Sequence, residues 1–290
     1  MGEIIDGRLL ADKMQARLKE EVEAIVASGG TRPGLVVIQV GANPASSVYV
    51  RNKENSAIKV GLHSQVDRLG AETTETELLN LIEEYNNDPK FHGILVQLPL
   101  PSHINEDKIL DAIHPDKDVD GFHPVNMGNL FVGTPTKIPC TPYGIMKMFE
   151  AYNIDLNGKN AVVIGRSNIV GKPIGALMMA ENATVTTAHS RTKDLAKVAA
   201  QADILVVAIG RAKMVDASFV KEGAVVIDVG MNHDENGKLC GDVDFASVEP
   251  KASYITPVPK GVGPMTITML ITQAVETALG RKIDFTGILG

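Results

Sequence analysis

The stretch Asn160–Gly175, NAVVIGRSNIVGKPIG, decides how the rest of the chain is read. A short aliphatic strand runs into Gly165, a polar turn follows, and Gly171 with Pro173 opens a helix. A turn of this kind sets backbone N–H groups and the positive end of the helix dipole beside a diphosphate. Pro173 suits the first helical turn, where a missing N–H is no loss. The pattern departs from G-x-G-x-x-G, because Ser167 holds the second Gly position and the later glycines shift to Gly171 and Gly175. A tight turn without a ligand would have the same local requirements. The next strand, Thr184–Ala188, ends in His189-Ser190-Arg191-Thr192, roughly 25 residues past Gly165. A ribose without a 2′-phosphate is usually met there by an acidic side chain. A hydroxyl and a guanidinium at that place favour NADP over NAD, against the alternative of Arg191 as a solvated charge.

Outward from this motif the elements alternate. Downstream, Asn160–Ile164, Thr184–Ala188, Ile204–Gly210 and Ala224–Gly230 read as strands, with helical segments at Pro173–Ala180, Leu195–Ala199 and Ala217–Lys221. Upstream, an amphipathic helix over Leu9–Ala27 precedes the aliphatic run Gly34–Gly41. A helix over Ala45–Lys59 then leads to a strand over Leu62–Leu69, and a helix opening at Thr74 leads to the strand His92–Leu98. A helix over Asn105–Ile113 ends in the loop His114–Phe122. The segment Asp120–Pro142 is punctuated by Gly and Pro and poorly periodic, which marks it as the crossing between two domains. A helix over Tyr143–Ala151 follows, and the apolar helix Met265–Leu279 closes the chain. The fold class is α/β, with two α/β domains. The second is a Rossmann-type doubly wound parallel sheet, and the C-terminal helix returns to the first domain.

Composition narrows the classes of function. The 290 residues suffice for one large domain or two ordinary ones, and a chain this long buries roughly three-quarters of its extended surface. Lys plus Arg number 28 against 35 Asp plus Glu, a formal charge of −7, which argues against a nucleic-acid binder. Hydrophobic residues at 44% and charged residues at 22% exclude wholesale disorder. The two cysteines, Cys140 and Cys240, form neither a disulfide scaffold nor a zinc ribbon. The amino terminus is acidic where a signal peptide is basic, and no apolar run is long enough for a bilayer. A cytoplasmic protein without membrane attachment is expected.

Several side chains could do chemistry. Tyr49 and Lys53 stand four apart, on one face of the expected helix, where a phenol beside an ammonium can handle protons. Most Tyr-x-x-x-Lys pairs are ordinary helix surface. The similar pair of short-chain dehydrogenases follows the nucleotide loop, whereas this one precedes it. Gln97 is an amide among apolar neighbours in HGILVQLPLP, either satisfied in the core or touching a ligand, and Pro99 and Pro101 end the strand there. Asp116, Asp118 and Asp120 lie in PDKDVDG, a loop that is usually solvated and has the wrong spacing for calcium. In PVPKGVGPMT, Gly261 and Gly263 allow close approach to a flat ligand. The histidines have no paired spacing, so no catalytic metal is expected.

Taken together, YVRNK, HGILVQLPLP, PDKDVDGFHP, PCTPYGI, VVIGRSNIVGKP, DVGMN, GDVDF and PVPKGVGPMT occur in the order seen in the methylenetetrahydrofolate dehydrogenase/cyclohydrolase family, which the chain resembles from end to end. The resemblance implies a folate-binding catalytic domain at 1–138 plus 268–290, an NADP-binding domain at 139–267, an active site in the cleft between them, and a homodimer. It implies oxidation of 5,10-methylenetetrahydrofolate with NADP, then hydrolysis of the methenyl product to 10-formyltetrahydrofolate. A monofunctional dehydrogenase of the same family, or a two-domain dehydrogenase for another acid, is the alternative. By the same resemblance Lys53 is the main catalytic residue, with Tyr49, Gln97 and Asp120 beside it. Tyr49 stacks on the folate, Gln97 bonds Lys53, and Asp120 grips the aminopyrimidine edge. Val96, Leu98, Pro259, Gly261, Gly263 and Pro264 complete the substrate set. Gly165, Arg166, Ser167, Ser190, Arg191 and Met231 are the implied cofactor contacts. One position departs from the family: Lys260-Gly261 stands where Gly-Gly is usual. A lysine there costs roughly 1–2 kcal/mol if φ is positive, and its charge is suited to an anionic glutamate tail.

Overall fold

The computed structural model describes residues 2–290, leaving aside the Ala45 side chain. It divides into two compact units. One comprises Asp12–Cys140 and Ile267–Phe285; the other comprises Met1–Ala11, Thr141–Thr266 and Thr286–Gly290.

The first unit is built on a parallel sheet in the order β3-β2-β4, with β2 at Gly34–Val40, β3 at His63–Leu69 and β4 at Gly93–Val96. Gly34 tolerates no side chain, since a Cβ would fall 2.0 Å from the Lys90 carbonyl oxygen. Both faces of β2 are buried, as the unbroken aliphatic run requires of a central parallel strand. Val36, Ile38, Ile94 and Val96 pack with Leu78, Ile82 and Ile109 into one cluster. The helices are α1 (Gly7–Ala27), α2 (Pro44–Val60), α3 (Glu75–Asn87), α4 (Glu106–Ala112) and α5 (Pro124–Phe131). Local chemistry sets their ends. The Asn43 side chain accepts from Ser46 N at 3.1 Å with Pro44 at the first turn of α2, and Gly61 at φ +94° closes that helix. Thr74 and Glu77 form a capping box on α3.

The helix α5 lies in the segment expected to be an irregular crossing. His123 caps it through Nδ1, which accepts from Val125 N at 3.1 Å, and Pro124 starts it, so the Pro that reads as a loop signal opens the helix while Gly128 is carried within it.

The second unit begins with β1 (Glu3–Ile4), continues with α6 (Cys140–Ala151), and carries β5 (Asn160–Ile164), α7 (Gly171–Ala180), β6 (Thr184–Ala188), α8 (Leu195–Ala199), β7 (Ile204–Val207) and β8 (Val225–Asp228). The segment Ala217–Phe219 is a short 3-10 turn. A two-strand hairpin, β9 (Asn232–His233) with β10 (Leu239–Cys240), is followed by α9 (Phe245–Val248), β11 (Tyr254–Ile255) and the start of α10 (Val262–Leu279), whose residues from Ile267 onward belong to the first unit. The six-strand sheet runs β1-β11-β8-β7-β5-β6, with every pair parallel. The winding reverses at β5, which has β6 on one side and β7 on the other. That is the switch point of a doubly wound, Rossmann-like sheet, where ligands meet the carboxyl ends of the strands. Residues 2–11 belong here rather than with the residues that follow them, because Glu3 and Ile4 pair with Tyr254 and Ile255 at the sheet edge. Strands of two residues carry no periodicity, so the sequence does not reveal them.

The helix α10 is longer than the expected Met265–Leu279, and Met269, Leu270, Ile271, Ala274 and Val275 are buried. No helix among the described residues is long and apolar enough to cross a membrane.

Candidate active site

In the first unit, α2 brings Tyr49 and Lys53 to one face a single turn apart. The Lys53 Nζ donates to Gln97 Oε1 at 3.0 Å. Gln97 follows the last residue of β4, and its backbone N–H donates to the Ile38 carbonyl at 2.8 Å, so the sheet fixes its Cα. The amide nitrogen donates to the Leu98 carbonyl at 2.7 Å, which commits the oxygen to face Lys53. Val96 and Leu98 flank it, the first buried and the second partly so. Burial pushes the Tyr49 phenol above its ordinary value.

Asp120 is held at the end of the loop after α4. Burial raises its carboxyl, the Lys53 charge pulls it back down, and Asp118 pushes it up again. Lys53, Gln97 and Asp120 therefore form one cluster. The scaffold beneath Asp120 was not visible in the sequence. Asp118, expected to be solvated, is 2% exposed. Its carboxylate accepts from Gly121 N at 3.0 Å, His123 N at 2.8 Å and Asn126 Nδ2 at 2.9 Å. Gly121 turns at φ +74°, where a Cβ would lie 2.6 Å from Pro139 N. Gln273 of α10, fully buried, donates to the Val119 carbonyl at 2.8 Å and the Ile138 carbonyl at 2.9 Å, and accepts from Ile138 N at 2.8 Å. Cys140 completes the set, its thiol donating to the Val119 carbonyl at 3.1 Å and raised well above its ordinary value by burial. An amide about two turns past the last motif, and an aspartate in a loop of aspartates, carry no sequence signal for these roles.

In the second unit, β5 delivers Gly165 to the switch point. Its φ is +133°, and a Cβ would sit 2.3 Å from the Ala208 carbonyl oxygen beyond β7. A Cβ on Gly171 would sit 2.4 Å from the Gly165 carbonyl oxygen, so both glycines are required by close backbone approach. Ser167 Oγ accepts from Val170 N at 3.2 Å and Gly171 N at 3.3 Å, which shapes the turn that Gly would otherwise make. A cavity of about 280 Å³ opens at these strand ends, lined by Gly165, Arg166, His189, Ser190, Leu195 and Arg211 among others. The cation-lined cavity beside a glycine cradle suits a phosphate-bearing part of a dinucleotide. Arg191 is exposed and does not line it; its N–H donates to His189 Nδ1 at 3.2 Å. Met231 lies after β8, its sulfur 3.7 Å from where a Gly263 Cβ would be.

Pro259, Lys260, Gly261, Gly263 and Pro264 surround the start of α10. Lys260 has φ +82°, so the strained conformation expected of it is present, and its carbonyl accepts from Arg8 N at 3.0 Å. Gly261 is buried with its Cβ position 2.4 Å from the Pro257 carbonyl oxygen, and Gly7 approaches it as closely from the start of α1.

A doubly wound sheet with a glycine cradle and a lysine–amide–carboxylate cluster define a nicotinamide-dependent oxidoreductase. Comparison with known proteins gives the particular kind. Family models described as the catalytic domain and the NAD(P)-binding domain of tetrahydrofolate dehydrogenase/cyclohydrolase match residues 5–120 and 139–282. The chain is 66% identical over 98% of its length to the bifunctional protein FolD of Streptococcus pneumoniae, covering 99% of that protein. Among solved structures, the bifunctional FolD dehydrogenase/cyclohydrolase of Campylobacter jejuni is similar at 48% identity with a TM-score of 0.95, over 97% of this chain and 99% of that one. The Trypanosoma brucei enzyme, solved with NADP and an inhibitor, is similar at 38% identity with a TM-score of 0.92, over 96% and 98%. The chain belongs to the tetrahydrofolate dehydrogenase/cyclohydrolase family.

Proposed function

We propose that the chain oxidises 5,10-methylenetetrahydrofolate with NADP and hydrolyses the methenyl product to 10-formyltetrahydrofolate, with Lys53, Tyr49, Gln97 and Asp120 as the catalytic set. The observation that carries the reading is the Lys53–Gln97 hydrogen bond of 3.0 Å, with the Gln97 amide locked by Leu98. It holds the lysine nitrogen at one place through a neutral amide, as a proton-handling group requires. As the neutral amine, Lys53 takes the proton released when water adds to the bridging carbon, and the ammonium so formed delivers it to the ring nitrogen that departs. Asp120, ionised, accepts from the amino and ring N–H donors of the pterin edge. Tyr49 covers the folate ring, and Val96, Leu98, Pro259, Gly261, Gly263 and Pro264 shape the remainder of the substrate site.

NADP, when bound, supplies the acceptor for the hydride. The residues that fit it are Gly165, Arg166 and Ser167 toward the diphosphate, Ser190 and Arg191 toward the ribose phosphate, and Met231 at the strand end. The glycine cradle supports the placing of Gly165 and Ser167, and the cavity that of Arg166 and Ser190; Arg191 rests on the family resemblance. Division of the work, with folate chemistry on the unit of Lys53 and cofactor binding on the unit of Gly165, follows from the same placements. Lys260 offers its charge to an anionic glutamate tail. A cytoplasmic homodimer that binds neither nucleic acid nor membrane is the accompanying reading; the family resemblance carries the homodimer, and the balance of 28 basic against 35 acidic residues supports the part on nucleic acid.

Purified protein given 5,10-methylenetetrahydrofolate should reduce NADP in preference to NAD. It should also hydrolyse methenyltetrahydrofolate faster than buffer alone. Reduction without enhanced hydrolysis would leave a monofunctional dehydrogenase, and a preference for NAD would overturn the cofactor assignment.

A further inference from the structure

Two motifs, Asp228–Asn232 and Gly241–Phe245, have no role in the function proposed above beyond Met231. The structure joins them around two buried carboxylates. Asp242 is fully buried, and Asp228 is 4% exposed. Asp242 Oδ2 accepts from Ile209 N at 2.7 Å and Gly210 N at 3.1 Å. Its Oδ1 accepts from Arg211 N at 2.7 Å and Asn232 Nδ2 at 2.9 Å. Asp228 in turn accepts from Gly230 N at 2.9 Å, Asp242 N at 2.9 Å and Val243 N at 3.0 Å. The fit is close: a Cβ on Gly241 would lie 1.8 Å from Asp228 Oδ2, and one on Gly230 would lie 2.4 Å from Asp242 N. The loops that leave β7 and β8 are thus moulded on a pair of anions.

The consequence falls on Arg211. Three consecutive backbone N–H groups, from Ile209 to Arg211, are spent on Asp242, and Gly210 turns at φ +65° between them. With its backbone fixed in this way, Arg211 lines the same cavity as Arg166, His189 and Ser190, and no carboxylate among the described residues lines it. A ribose bearing two free hydroxyls would be served by a carboxylate there; two guanidinium groups serve a phosphate.

We propose that Arg211 is a specificity-determining residue that binds the 2′-phosphate of the cofactor together with Ser190, and that Asp242 is the positioning residue that aims it. The proposal rests on the NADP reading above. A charge-assisted, bidentate contact with phosphate is worth about 10- to 100-fold in affinity.

Isothermal titration of the full chain with 2′,5′-ADP and with 5′-ADP tests it without turnover. Arg211→Gln should weaken 2′,5′-ADP about 10- to 100-fold while 5′-ADP changes less than about threefold. Arg211→Lys should recover part of the loss, because the point charge remains without the fork. Asp242→Asn, which places N–H against N–H, should raise the KM for NADP with kcat largely kept, and should narrow the preference for 2′,5′-ADP. A loss shared equally by both nucleotides, or no loss, in Arg211→Gln overturns the proposal while the parent protein still prefers 2′,5′-ADP. If the parent protein binds the two nucleotides equally, the NADP reading fails and takes the proposal with it.

Discussion

The two units hold their functional groups by opposite means. In the unit of Lys53, the chemistry lies in side chains, and side chains hold them: Gln97 on Lys53, Gln273 and Asp118 beneath Asp120. In the unit of Gly165, the site is largely backbone, shaped by missing Cβ atoms at Gly165 and Gly171 and by carboxylates that gather N–H groups. Acid–base work needs a titratable atom at one point, and only a side chain supplies it. Holding an anionic dinucleotide needs many weak donors along a turn, which the backbone supplies without side-chain entropy.

The largest test of that contrast is Lys53→Met. Loss of the titratable atom should lower methenyltetrahydrofolate hydrolysis about 10²- to 10⁴-fold, with binding of NADP followed by fluorescence unchanged. Weakened NADP binding would break the contrast, since it would make the lysine part of both halves. Gln273→Leu asks whether the side-chain scaffold is as costly to remove as it looks. It strands Ile138 N and two carbonyls in the core, and should destabilise the protein by about 3–5 kcal/mol in chemical denaturation. A loss under about 1 kcal/mol would show that water or repacking replaces the amide.

Asp228 probes the backbone half through pH. Burial raises its carboxyl to about 6 from 3.8, against the pull of the Val243, Asp242 and Gly230 N–H groups and with Asp242 adding to the rise. The folded chain therefore holds this proton more tightly than the unfolded one. The stability it contributes is complete below 3.8 and is lost as pH rises through about 6, a change of roughly 3 kcal/mol. Denaturation midpoints across that window should fall less steeply in Asp228→Asn; an unchanged slope would assign the pH dependence elsewhere. Smallest is Lys260→Gly, which relieves a φ of +82° and should stabilise by about 1 kcal/mol. If the glutamate-tail reading holds, the same variant binds polyglutamylated folate less well than the monoglutamate, relative to the parent protein.

Much of this was legible in the chain itself. Gly34–Val40, Asn160–Ile164 and Thr184–Ala188 are strands almost where the aliphatic runs put them, and Tyr49, Lys53 and Gln97 can be named as chemical types from the chain, whereas Asp120 is singled out only by the family resemblance. The losses share a cause. The strands Glu3–Ile4 and Tyr254–Ile255 are two residues long, and α5 hides behind its own Pro and Gly. Asp118, Asp228, Asp242 and Gln273 are polar residues whose burial depends on partners far along the chain.

By itself the sequence determined the alternation of strands and helices, the glycine cradle and the chemical types available for catalysis, because each rests on local sterics or on a period of a few residues. The tertiary structure decided which unit the amino terminus joins, which of three loop aspartates is held over the buried scaffold, and which arginines line the cavity at the strand ends. Those outcomes depend on burial and on hydrogen bonds between residues distant in sequence. A polar side chain written in the chain looks the same whether it ends in water or beneath a site.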